Sequence, residues 1–75
     1  MTIARVFGQV LHDIRIKQGI TQEKLAQLSN LDRTYISMLE RGLRQPTLHT
    51  LFTIAKTLEI EPSQFIKKIE DLYEN

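Results

Sequence analysis

The residues between Asp32 and Arg41 offer hydrogen-bonding chemistry rather than bond-making chemistry. If they form a helix with Ile36 and Leu39 facing inward, its period turns Thr34, Met38 and Arg41 outward. Ser37 then lies on one flank, Tyr35 on the other, and Arg33 at the exposed N-terminal end. A helix in a DNA major groove reads bases mainly from that end. Arg33 is always charged and can bond guanine O6 and N7 through two parallel N–H groups. Thr34 offers a hydroxyl to a base edge or a methyl to thymine, Ser37 offers a hydroxyl, and Met38 offers a flexible apolar contact. Other uses of the same residues remain open: an ion pair of Arg33 with Asp32 or Glu23, a core or dimer contact for Met38, and plain solvation of Thr34 and Ser37.

Groups suited to a phosphate backbone surround this reading face. Gln22 opens the preceding helix, whose free N–H groups favour an anion, and it can bind a phosphate or brace Arg33. Arg41, Arg44 and Thr47 follow the reading helix, with His49 close behind. Tyr35 can place its hydroxyl on a phosphate or pack against the helix before it.

The elements that position these residues are five predicted helices: Ile3 to Gln18, Gln22 to Ser29, Arg33 to Arg41, Leu48 to Leu58 and Pro62 to Tyr73. Ile3, Val6, Phe7, Val10, Leu11 and Ile14 form the first apolar stripe, and Gly8 within it marks a close backbone contact or is merely tolerated. Thr21 caps the second helix, whose apolar positions are Leu25, Ala26 and Leu28. Asn30-Leu31-Asp32 is the turn: Asn tolerates positive φ, and Asp32 caps the third helix. Small Ala26 lets the two helices cross closely, while Leu31, Ile36 and Leu39 fill the wedge between them. Gly42 stops the third helix. Thr47 caps the fourth, with Leu48, Leu51, Phe52, Ala55 and Leu58 as its stripe, and Pro62 suits the first position of the fifth. No segment alternates with period two, so the expected fold is all-α, a single helix-turn-helix domain over residues 1–75 with the motif at 22–41.

Seventy-five residues make one domain with a small core, which a second copy would stabilise. The chain has no cysteine and two histidines, His12 and His49, so neither a disulfide framework nor a conventional zinc site is expected, and no cofactor. No apolar run approaches a membrane span and no secretory signal is evident, so a soluble, cytoplasmic protein without membrane contact is expected. The net charge of +1 hides an asymmetry. Residues 1–56 hold eight Lys/Arg against four acids, while residues 57–75 hold two against five. No acid occurs between Arg41 and Leu58. A positive body with a negative tail suits a polyanion met by one end only. Neither a nucleophile–base set nor a phosphate-cradling glycine loop is present, so no enzyme is expected.

The stretch QEKLAQLSNLDRTYISMLERG, with IRIKQGIT before it and QPTLHTLFTIAKTLEI after it, resembles the helix-turn-helix of phage-repressor and Cro-like (Xre-type) regulators over about residues 3–66. LDRTYISMLERG also resembles the reading helix of restriction–modification controller proteins, small dimeric regulators of their own operon. The resemblance implies a five-helix, lambda-repressor-like fold and a transcription regulator of double-stranded DNA. Gln22, Arg33, Thr34, Ser37 and Met38 match the family's DNA-reading positions. Arg15 and Glu40 match a recurrent pair tying the first helix to the third; independently, an acid beside the inward face needs a partner. Asn30 stands in place of the commoner glycine. Ser29 replaces a frequent apolar residue, with Leu28 as the expected compensation.

A homodimer is expected, because two copies read two half-sites of a palindrome about 34–36 Å apart. Phe65, Ile66, Ile69, Leu72 and Tyr73 of the fifth helix, joined by Leu58 and Ile60, are the expected dimer surface; the alternative is that this helix caps the monomer core. A regulator that activates also meets RNA polymerase, although no residue identifies a surface for it. A second class of function stays open, an antitoxin-type interaction module that also binds DNA; the absence of a disordered extension weighs against it.

Overall fold

Each helix begins where a side-chain oxygen can take up a backbone N–H that the helix leaves free. In a computed structural model, which describes residues 1–74, the helices are α1 (Ile3–Lys17), α2 (Gln22–Ser29), α3 (Arg33–Glu40), α4 (Leu48–Thr57) and α5 (Pro62–Tyr73), with no strand among the described residues. The side chains of Thr2, Thr21, Asp32 and Thr47 accept from the N–H groups of Arg5, Lys24, Thr34 and Thr50. At α5 the Glu61 N–H donates to the Gln64 side chain at 3.3 Å. Gln18, Arg41 and Leu58, expected as last helical residues, are C-caps.

Four helices stop by one device. Gly19, Asn30, Gly42 and Glu59 turn the chain left-handed, at φ of 72°, 57°, 74° and 58°. The N–H of the next residue then closes onto a carbonyl five positions back: Ile20 to Arg15, Leu31 to Ala26, Leu43 to Met38 and Ile60 to Ala55. Asn30 makes the turn between α2 and α3 as expected. Glu59 takes the same conformation without the local hydrogen-bonding side chain that helps Asn.

α1 packs on α3 and α5, α2 on α3 and α4, and α4 on α5. Gly8 is where α1 crosses α3. A Cβ there would collide with the Leu39 carbonyl oxygen and lie 2.6 Å from that of Glu40, so the helices meet backbone to backbone. The core gathers Val6, Phe7, Leu11, Leu25, Ile36, Leu39, Ile54, Leu58 and Phe65, with the Phe7 and Phe65 rings stacked at 5.4 Å between centroids.

The packing corrects several sequence expectations. α4 turns Leu51, Ile54, Ala55 and Leu58 inward and leaves Leu48 and Phe52 exposed. Ile3 and Leu28 are exposed as well, so Leu28 does not compensate for Ser29. Ser29 is itself buried, and its hydroxyl donates back to the Leu25 carbonyl at 2.7 Å. Leu58, Phe65 and Ile69 belong to the monomer core, at 1%, 0% and 8% exposure, and are not available to a second copy. They sit where α5 closes over α1 and α4. Ile66 and Tyr73 are exposed, and Ile60 and Leu72 are half-buried against the core edge.

Candidate nucleic-acid interface

α3 is fixed by its buried side and by one ionic network. Ile36 and Leu39 are fully buried, which leaves Arg33 and Thr34 exposed at the N-terminal end and Ser37 and Met38 half-exposed along the same helix. Met38 is therefore part of the surface, not of the core. Asp32 spends its carboxylate on capping, accepting from the Thr34 N–H at 3.1 Å. Arg33 forms no ion pair with Asp32 or Glu23 among the described residues. Its guanidinium is thus free to meet a ligand.

The network lies behind this face. The Arg15 Nε donates to Glu40 Oε2 at 2.6 Å and its Nη2 to Oε1 at 3.0 Å, while Nη1 donates to the Ile20 carbonyl at 2.8 Å. The expected α1–α3 pair is present, with both side chains under 10% exposed, at 8% and 4%. Two further groups converge on Glu40 Oε1, the Gln22 amide nitrogen at 3.1 Å and His12 Nδ1 at 3.1 Å. The same His12 nitrogen lies 3.4 Å from Arg15 Nη2, and in the tautomer with its proton on Nδ1 the ring donates to Glu40, since a carboxylate only accepts. Burial pushes the Glu40 carboxyl up, but bonds from Arg15, Gln22 and His12 outweigh it and hold the group below its ordinary value. The hydrogen bond to Glu40 likewise raises Arg15, against the opposing effect of burial. Gln22 thus braces Glu40 through its amide nitrogen. It also lines a shallow hollow with Arg33, Thr21 and Glu23 at the start of α2.

Exposed cations flank α3 on its other side. Arg41 and Arg44 are exposed and form no ion pair among the described residues. Arg44 stacks over Tyr35, its guanidinium carbon 5.9 Å from the ring centroid, which ties the α3–α4 loop to α3. The Tyr35 ring is half-buried against the core edge. The Thr47 hydroxyl is occupied, accepting from the Thr50 N–H and donating to the Thr50 hydroxyl, both at 3.0 Å. What the start of α4 offers an anion is therefore its free backbone N–H groups. His49 is exposed at the second position of α4, beside Leu48 and Phe52.

Two participants escaped the sequence reading. His12 lies three residues before Arg15 on the same helical face, and that spacing was the available signal. Arg5 packs on Gly42 across the α1–α3 junction, a contact with no local signature. Among the described residues no group of His, Cys, Asp or Glu is arranged to hold a metal ion.

The chain is similar to proteins of known kind. Residues 11–65 match a sequence family described as helix-turn-helix. Control protein C.BamHI of Bacillus amyloliquefaciens is 42% identical over 65 residues, which are 85% of this chain and 80% of that protein. Among solved structures, the restriction–modification controller protein C.AhdI from Aeromonas hydrophila is 42% identical with a TM-score of 0.80, over 83% of this chain and 94% of that one. The controller protein C.Esp1396I, solved as a tetramer in complex with its natural 35-base-pair operator, is 39% identical with a TM-score of 0.87, over 95% and 93% of the two chains.

Proposed function

The chain belongs to the helix-turn-helix family and is a DNA-binding transcription regulator similar to restriction–modification controller proteins; from that premise we propose that it binds a palindromic operator as a two-fold dimer, reading the major groove with α3. The observation that supports this most is the division of α3. Its inward residues are fully buried, while its N-terminal half presents Arg33 and Thr34 without an ionic partner for Arg33, ahead of Ser37 and Met38. Arg33 bonds guanine, Thr34 and Ser37 bond neighbouring base edges, and Met38 packs on a thymine methyl or sugar. Gln22, the start of α4, Arg41, Arg44 and the Tyr35 hydroxyl hold the phosphates on either side.

With Leu58, Phe65 and Ile69 committed to the core, the dimer surface consists of apolar side chains left exposed on the last two helices. These are Ile66 and Tyr73 on α5 and Leu48 and Phe52 on α4, with Ile60 and Leu72 at the edge. An isologous contact of these faces carries two copies of α3 into successive major grooves. The similarity to controllers further suggests that the operator lies before the chain's own gene. Selection of bound duplexes from a random pool tests the reading. Two inverted half-sites about 34–36 Å apart are expected; an asymmetric consensus, or none, would overturn the dimer-on-palindrome mechanism.

A further inference from the structure

We propose that the DNA-backbone surface extends past the α3–α4 loop onto the first turns of α1, with Arg5 as a phosphodiester ligand beside Arg41. The inference rests on the DNA-binding reading above. A Cβ on Gly42 would lie 2.7 Å from Arg5 Cγ and 2.9 Å from Arg5 Cα, so the loop backbone and the base of the Arg5 side chain are in direct contact. Gly42 is left-handed, at φ 74°, which lets the chain turn under Arg5 at this point. Beyond the contact, Arg5 and Arg41 line one open hollow together with Thr2, Gln9 and Glu40. The only acid of that lining is Glu40, whose side chain is 4% exposed and already occupied by Arg15, Gln22 and His12.

Arg5 therefore has no ion-pair partner among the described residues, and neither has Arg41. Arg5 and Arg41 thus line one hollow with no carboxylate free to balance them, and a singly charged phosphodiester in it would neutralise charge while accepting hydrogen bonds from guanidinium groups. The first turn of α1 contains no acid. The acid-free run that begins at Arg41 is thus continuous in space with α1, although the two are far apart in sequence. A second phosphate contact so placed fixes the angle of α3 in the groove through α1, which already touches α3 at Gly8.

The test uses the full chain and two duplexes, one of fixed mixed sequence and one selected for binding, with affinity measured across about 50–200 mM salt. Arg5→Gln removes the charge but keeps the stem over Gly42. It is expected to reduce the slope of log affinity against log salt by about 0.9 and to weaken both duplexes by the same factor. Arg5→Lys is expected to restore the slope. If Arg5→Gln unfolds, Arg5→Met serves in its place. A slope unchanged in the Arg5 variant but reduced in Arg41→Gln would end the surface at the loop and overturn the proposal alone. A wild-type chain without salt-dependent binding to either duplex would overturn the DNA-binding reading with it.

Discussion

At the scale of single residues, Arg33 and Glu40 show opposite uses of charge on one short helix. Arg33 is exposed and unpaired, so its interaction energy is available to a ligand. Arg33→Ala is expected to weaken operator binding by about 1–3 kcal/mol and to relax preference at one base position, read by titrating duplexes substituted there. Glu40 is buried and saturated, so its energy goes into holding α1, α2 and α3 together. Removing either partner of a buried pair strands the other, so Arg15→Ala and Glu40→Ala are each expected to cost about 3–5 kcal/mol. The double variant is expected to cost little more than either, as checked by denaturant unfolding in a double-mutant cycle. Because the folded-state pKa of Glu40 lies below its ordinary value of 4.5, the network's contribution is complete above that value and falls away as pH drops through the lowered one. Unfolding free energy measured down an acid series is expected to fall less steeply in Glu40→Gln than in the wild type.

At the scale of elements, capping and stop signals were readable because they are local. Thr21, Asp32, Thr47, Asn30, Gly42 and Pro62 act through backbone groups within a few residues, and all stand where expected. Glu59 did not announce itself, since glutamate, unlike Asn or Asp, has no left-handed preference. That conformation carries a penalty that glycine would not. Glu59→Gly is therefore expected to stabilise the fold by about 1 kcal/mol, observed as a raised thermal midpoint. The facing of α4 is a different case, with Leu48 and Phe52 exposed rather than buried. Leu48 and Phe52 share a helical stripe with Leu51 and Ala55, and periodicity alone cannot say which edge of a broad apolar arc meets the core.

At the scale of the whole molecule, the division of α5 between core and surface decides how the proposed dimer can be probed. Phe65→Glu would bury a charge and unfold the monomer, so loss of dimer there would carry no information. Phe52→Glu and Ile66→Glu alter exposed positions. Each is expected to give folded monomers in sedimentation, with helical circular dichroism retained and operator affinity sharply reduced. A persistent dimer in both variants would move the interface away from α4 and α5.

The sequence by itself determined the five helices, the left-handed turn at Asn30, the inward placing of Ile36 and Leu39, the outward placing of Arg33 and Thr34, and the Arg15–Glu40 pair. Periodicity, caps and family spacing act over a turn or two of helix, or over a motif whose geometry its residue types already imply. Only the tertiary structure decided that Leu58, Phe65 and Ile69 fill the core, that His12 and Gln22 converge on Glu40, and that Arg5 stands beside Arg41. Those facts depend on how whole helices cross, and the crossing of α1 over α3 at Gly8 is set by packing between segments more than thirty residues apart along the chain.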